Sequence, residues 1–400
     1  MNIRIMSPLK DLRVVDISRV LAGPLCGQML ADMGADVIKV EAPAGDENRK
    51  WGPFNQDRES CNYLSVNRGK RGIALDLKSE QARGILYALI AKADVLISSF
   101  LPATADALGV GDACLRERFP RLVIVNISAF GHRGALAGSP GYDTLAQAFS
   151  GIMSITGEAD GMGVRAGVSF VDMATGVYAY SGALTALEHR RKTGHGTVVR
   201  VSLLETAISM LGYHAVGWLE AGALPFKQGS GIWHLVPYQS FKCQDGEILT
   251  GALNDHTWTN LCTALSLHDF AQSAALRSNE GRVQNRQQIV QALQDLFLTR
   301  PVDHWVAVLE QHRVPVTVVN TIDKSLAHPQ VVDNEMVIEL QKAGGTRVRL
   351  LRTPFSLDDA HCRSDVAPPA LGQHSEAILR DELGLASADI EALKKQGAVK

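Results

Sequence analysis

The run L-R-V-V-D-I-S-R-V-L-A-G-P-L-C-G-Q-M-L-A-D-M-G-A-D-V-I-K-V-E, residues 12–41, decides the fold. Residues 12–17 form an apolar segment of strand length. Residues 21–24 are a small-residue turn, residues 25–33 have a helical pattern, and residues 36–41 read as a second strand. Two strands joined by a helix in so short a span form a βαβ unit, and its strands run parallel. A parallel sheet needs helices on both faces, so the rest of the chain is expected to alternate strand and helix.

It does. Residues 73–77, 95–98, 122–128 and 197–202 read as strands, and residues 79–92 as an amphipathic helix with Ser79 at its cap. The pattern predicts a doubly wound α/β sheet. The turn at residues 21–24 lacks the G-x-G-x-x-G spacing, so it is not a dinucleotide fingerprint. A nucleotide-like ligand can still sit at the carboxyl ends of the strands. Residues 204–220 read as one apolar helix. Residues 221–237 carry several Gly, two Pro, a Trp and a His without periodicity, which suggests a functional loop and a domain boundary. Beyond it, strands at 240–242 and 248–250 and helices at 256–265, 285–298 and 302–311 predict a smaller α+β domain. A strand at 348–352 and two closing helices follow. The expected division is therefore 1–220, 221–319 and 320–400.

Composition narrows the class. The 400 residues are 46% hydrophobic and 20% charged, with net charge −2, which suits a soluble chain with a sizeable core. Neither the charge nor its distribution favours nucleic acid or an anionic membrane as partner. Six scattered cysteines without metal-ligand spacing read as buried reduced thiols, with no metal site. The start of the sequence has no apolar signal region, and no apolar run is long enough to span a bilayer. A cytoplasmic location is expected.

The chemistry centres on one acid. The apolar residues 168–171 read as a buried strand delivering Asp172 to the start of a helix, in which Ala174, Val177, Tyr178, Ser181, Leu184, Ala186 and Leu187 recur at helical spacing. His189–Lys192 place cations at its far end, as the helix dipole favours. The ordinary role of Asp172 is then an N-cap, with its carboxylate ionised at neutral pH.

Several stretches in order resemble the class III CoA-transferases, the CaiB/BaiF or formyl-CoA transferase group. They are the opening βαβ run, G-D-x-x-R at Gly45, Asp46 and Arg49, N-R-G-K-R at Asn67–Arg71, and L-D-L-K at Leu75–Lys78. G-Y-D at Gly141–Asp143, V-D-M-A-T-G at Val171–Gly176, K-T-G-x-G at Lys192–Gly196, P-Y-Q-x-F at Pro237–Phe241 and L-G-Q-H at Leu371–His374 complete the series. The resemblance covers nearly the whole chain. It implies a Rossmann-like large domain built from both chain ends, an inserted small domain, and an interlocked homodimer.

The resemblance also implies the activity. Asp172 would be the nucleophile that carries CoA as an aspartyl thioester between two carboxylic acids, with a CoA thioester as co-substrate and no permanent cofactor. Leu21, Ala22, Leu75, Asp76, Leu77, Lys78, Ser99, Phe100, Tyr142 and Asp143 would bind CoA, and backbone N–H groups at the start of the Asp172 helix and of a Gly-rich loop are candidate oxyanion donors. Gly229, Ser230 and Gly231 would form a glycine loop over the site. Departures bear on the substrate. Ala42 and Ala107 stand where arginines face the CoA, Ser99 replaces an asparagine, and Leu21 replaces a glutamine used for oxalate-like acids. Arg49, Arg68 or Arg71 would then have to meet the phosphates. Arg19 and His234 are candidates for the distal end of a dicarboxylate. The implied pair is succinyl-CoA with a C4–C6 diacid such as glutarate, itaconate, citramalate or mesaconate. Carnitine-like or aromatic acceptors, and an α-methylacyl-CoA racemase using a His/Asp pair, are the alternatives.

Overall fold

The computed structural model describes residues 6–400. They form two compact units. The first comprises the chain up to Ser150, Gly167–Leu211 and Val332–Lys400, and the second comprises Gly151–Ala166 and Gly212–Val331.

The first unit is built on a six-stranded parallel sheet. In chain order its elements are β1 (Arg13–Asp16), α1 (Ala22–Asp32), β2 (Asp36–Glu41), β3 (Lys70–Ala74), α2 (Glu80–Ile90), β4 (Val95–Ser98), β5 (Val123–Ser128), α3 (Asp143–Phe149), α4 (Phe170–Thr193), β6 (Val198–Ser202) and α5 (Leu203–Met210). The strand order is β3-β2-β1-β4-β5-β6, and every pairing is parallel. The order reverses direction at β1 and β4, so the loops leaving these two strands diverge and open a crevice at their carboxyl ends.

Alternation along the strands divides the sheet between two layers. Val15, Ile17, Ile38, Val40, Ile73 and Leu96 pack with Leu86 and Leu89 of α2 and with Ile378, Leu379, Ile390 and Val399 from the end of the chain. The other layer holds α1 and α4, which run against each other and the sheet. Gly176 makes that approach possible. A Cβ there would stand 2.7 Å from the Ala22 carbonyl oxygen and 3.0 Å from Leu25 Cβ.

The second unit has a three-stranded antiparallel sheet of β7 (Tyr238–Lys242), β8 (Glu247–Gly251) and β9 (Val316–Val318). Helices Asp255–Ala264, Arg286–Phe297 and Val302–Gln311 contribute Trp258, Leu261, Ile289, Leu293, Phe297 and Trp305 to a core shared with Phe241 and Ile248. Among the described residues no helix is long and apolar enough to cross a membrane.

Several expectations are corrected. Residues 168–169 are not a buried strand: they are irregular, and Val168 is 65% exposed. The helix at 204–220 is interrupted at Gly212, whose φ of 52° breaks the run between α5 and the helix Tyr213–Ala221. Ser79 stands at the cap of α2, but its side chain makes no capping bond. All six cysteines are free, yet Cys61 is exposed and Cys114 only half-buried, so four of the six fit the buried-thiol reading.

Candidate active site

The crevice at the β1/β4 switch point is a cleft of about 190 Å³. Residues 19–23 after β1, 99–102 after β4, 127–129 at the end of β5 and 139–142 before α3 line it, together with Glu47, Asp172 and Leu203. That volume is well below the roughly 300–1,000 Å³ of a whole-ligand pocket. It suits the reacting end of a larger ligand whose remainder lies outside.

Asp172 is the buried acid of the cleft, where Glu47 is an exposed one, but it is not an N-cap. It is the third residue of α4, and Ser169 occupies the cap position without a side-chain bond. The capping is done from another helix. Asp143 Oδ2 accepts from Val171 N at 2.8 Å and from Asp172 N at 3.1 Å, while its Oδ1 accepts from Gln147 Nε2. Val171 N and Asp172 N, two of the donors expected for an oxyanion, are therefore already taken.

The Asp172 carboxyl itself receives no hydrogen bond from any described residue, and the residue is 8% exposed. Burial, followed by the nearby Asp143 charge, pushes its pKa up to about 7. The expectation of a fully ionised carboxylate at neutral pH is corrected, because the donors that would hold the charge serve the backbone cap instead.

A different helix end faces the cleft with free donors. In α1 the N-cap Leu21 makes no side-chain cap bond, and no described residue accepts from Ala22 N or Gly23 N, both in the lining. These N–H groups lie at the positive end of a helix dipole. The combination can serve nucleophilic attack by a carboxylate on a carbonyl whose developing negative charge meets backbone donors.

Of the expected site residues, Arg19, Leu21, Ala22, Ser99, Phe100, Tyr142 and Asp172 line this one cleft. Ser99 Oγ accepts from Arg19 N at 3.0 Å, and the Arg19 guanidinium lies 5.3 Å from the Phe100 ring centroid. Arg19 is the one basic side chain in the lining, half exposed and 3.9 Å from Glu47. Asp143 sits behind the cleft, buried. Leu75, Asp76, Leu77 and Lys78 leave the end of β3, outside the lining. Leu75 is wholly buried, Asp76 Oδ1 accepts from Lys78 N, and Lys78 is exposed. Gly229, Ser230, Gly231 and His234 belong to the second unit, where Ser230 Oγ accepts from Ser240 N and the His234 ring meets Tyr213 edge-on.

The arginines considered for phosphate are engaged within the fold. Arg68 is buried in a bidentate pair with Asp32, Arg49 pairs with Glu41 over the Tyr63 ring, and Arg71 pairs with Asp36 and Glu382. Sequence reasoning assigned no role to Val20, Asn48 or Gly176. All three lie inside quoted motifs, the opening run, G-D-x-x-R and V-D-M-A-T-G, but those motifs carried no geometry.

Comparison with known proteins places these observations in a lineage. A family model described as CoA-transferase family III matches residues 9–375. Succinyl-CoA:glutarate CoA-transferase of Homo sapiens is 34% identical over 402 residues, covering 98% of this chain and 90% of that protein. Succinyl-CoA:mesaconate CoA-transferase of Haloarcula hispanica is 33% identical, with 95% and 97% covered. Among solved structures, a CaiB/BaiF family protein from Brucella suis superimposes with a TM-score of 0.85 at 35% identity, over 94% of this chain and all of the other.

Proposed function

Since the chain belongs to CoA-transferase family III, we propose that it moves coenzyme A from succinyl-CoA to a C4–C6 dicarboxylic acid through a thioester on Asp172. The observation that carries the mechanism is the state of that residue: a buried carboxyl, without hydrogen-bond donors, beside two free N–H groups in a cleft at the switch point. A carboxylate so poorly solvated is a better nucleophile than one in water.

Each step follows from that placement. An ionised Asp172 oxygen adds to the thioester carbonyl, whose oxygen takes the charge opposite Ala22 N and Gly23 N. The C–S bond breaks, leaving a mixed anhydride and CoA thiolate. The thiolate then attacks the aspartyl carbonyl and expels succinate, giving the Asp172 thioester. The incoming acid reverses the sequence: its carboxylate attacks that carbonyl, the thiolate leaves, and the thiolate closes on the new acyl group as Asp172 departs. Exclusion of water conserves the thioester bond.

The diacid class is supported by the named activities of the glutarate and mesaconate relatives. Arg19 gives a distal carboxylate its cation in this cleft. The racemase alternative needs a His beside the acid, and no histidine is among the lining residues, which favours transfer. The proposal extends to CoA contacts from Ser99, Phe100, Tyr142 and the residues 75–78, to a lid at Gly229–Gly231, to a homodimer, and to the reducing cytoplasm, where six free thiols are stable.

Mass spectrometry of the enzyme incubated with succinyl-CoA tests the mechanism. A hydroxylamine-sensitive CoA adduct on the peptide carrying Asp172 is expected, absent in Asp172→Asn. No adduct with any of several acyl-CoA donors sinks it. A panel of C4–C6 diacids against succinyl-CoA tests the substrate class separately.

A further inference from the structure

We propose that Asn48, acting with Asp46, is a positioning residue that locks the backbone at Val20 and thereby aims the free N–H groups of Ala22 and Gly23 into the cleft. The inference rests on the aspartyl transfer proposed above and deepens it.

Val20 has φ of 69°. A β-branched residue is a genuine outlier in the left-handed region, and such a conformation persists only where its surroundings impose it. Here they do so from both sides of the residue. Both oxygens of Asp46 accept from Val20 N at 3.2 Å, and Asn48 Nδ2 donates to Val20 O at 2.6 Å. Asp46 is 2% exposed and Asn48 not at all.

The same buried layer holds the residues just before. Asp16 Oδ1 accepts from Ser18 N, Lys39 Nζ donates to Ser18 O at 2.9 Å, and Lys39 pairs with Asp46 at 3.4 Å. Ser99 Oγ takes Arg19 N. From Ser18 N to Val20 O the turn is thus tied down by side chains, whereas the N–H groups of Ala22 and Gly23, which share the cleft lining with Asp172, have no acceptor among the described residues. Asn48 meanwhile keeps its own Oδ1 buried without a partner. An orphaned acceptor of this kind calls for an explanation. The Nδ2 bond to Val20 supplies one, since it is the contact that an apolar residue of the same size would lose.

If Val20 relaxes to negative φ, the peptide that follows it rotates and α1 begins from a different direction. Ground-state binding of CoA elsewhere is unaffected, but the oxyanion exists only along the reaction path, so the loss falls on kcat. A displacement of about 1 Å at such donors is enough for ~100-fold. Asn48→Ala should therefore lower kcat about 100-fold and leave KM for the acyl-CoA within about twofold. Glycine adopts positive φ freely, so Val20→Gly in the Asn48→Ala background should restore kcat at least ~10-fold.

Asn48→Leu fills the same volume without the orphaned oxygen and reads the same loss should the alanine variant fail to fold. Parent-like kcat in a folded Asn48 variant overturns the inference, as does a double variant no faster than Asn48→Ala. The parent enzyme's Asp172 adduct is measured alongside. Its absence removes the transfer reading itself, whereas its presence with an indifferent Asn48 removes only the clamp.

Discussion

At Asp172 the fold holds a carboxyl group where burial, the lack of hydrogen-bond donors and a neighbouring charge all disfavour ionisation. Asp143 spends one oxygen on the backbone of α4 and the other on Gln147 and brings its charge close, so the Asp172 carboxyl is left unsupported. Linkage sets the sign of the consequence. The folded pKa of about 7 lies above the ~3.9 of an unfolded aspartate, so the folded state binds the extra proton between these values. The stability this contributes is complete below the unfolded pKa and is lost as pH rises through the folded one. Asp172→Asn removes the titration, so its stability relative to the parent should grow by roughly 3 kcal/mol between pH 5 and pH 8. Unfolding midpoints of the two proteins across that range check this, and a constant difference would contradict it. Asp143→Asn takes away the second cause and should bring the midpoint of the change below pH 7 while burial keeps it above an ordinary carboxylate.

Between elements, the decisive contact is α1 against α4, because it brings the free N–H groups of one helix to the acid of the other. Gly176 permits the approach, and Gly176→Ala forces a methyl group toward the Ala22 carbonyl oxygen. Such overpacking typically costs about 1–3 kcal/mol, and here it also separates the reacting parts. The expected result is a lower melting temperature and a kcat reduced at least ~10-fold; full activity with reduced stability would show that the separation is tolerated. This seam also marks where reading the sequence stops. Most strands of the parallel sheet were legible because apolar runs of strand length between small-residue turns have few other uses, and the βαβ start made them parallel; β3 lies three residues earlier than the expected 73–77. Of the residues that line the cleft, Leu21, Ala22, Ser99, Phe100 and Tyr142 were named only through the motif resemblance, Arg19 as the cation a diacid needs, and Asp172 first as a helix cap. The buried face of α4 was not. Its larger apolar residues Val177 and Tyr178 are exposed, and beside Val171 and Tyr180 the buried face is made of the small residues Thr175, Gly176, Ala179, Ala183 and Ala186. Hydrophobic periodicity weighs large side chains, whereas a close helix seam selects small ones. The cap on α4 was hidden for a related reason, since it comes from Asp143, across 28 and 29 positions of sequence.

Across the whole molecule, long-range contacts organise what local pattern leaves open. Residues 151–166 join the second unit, where Gly229 N bonds to Gly157 O and Lys227 to Gly161 O. The outward side of the first unit's helical layer points to a further contact. Leu145 and Phe149 of α3, Met173, Val177 and Tyr178 of α4, and Ile208 and Met210 of α5 are all more than a third exposed, on three helices that pack side by side. Isolated apolar residues on a surface need no explanation, but a continuous patch does. A second copy of the chain, as the family resemblance implies, is the occupant we expect, burying at least about 1,000 Å². Sedimentation should give twice the chain mass of 43.2 kDa. Val177 is 46% exposed within one chain, so Val177→Glu is tolerated by the monomer and harmful only where a partner covers it. The variant should keep its helical circular dichroism, sediment as a monomer and lose turnover. A variant that remains dimeric would place the interface elsewhere, and a parent enzyme that sediments as a fully active monomer would leave this apolar face without the partner proposed for it.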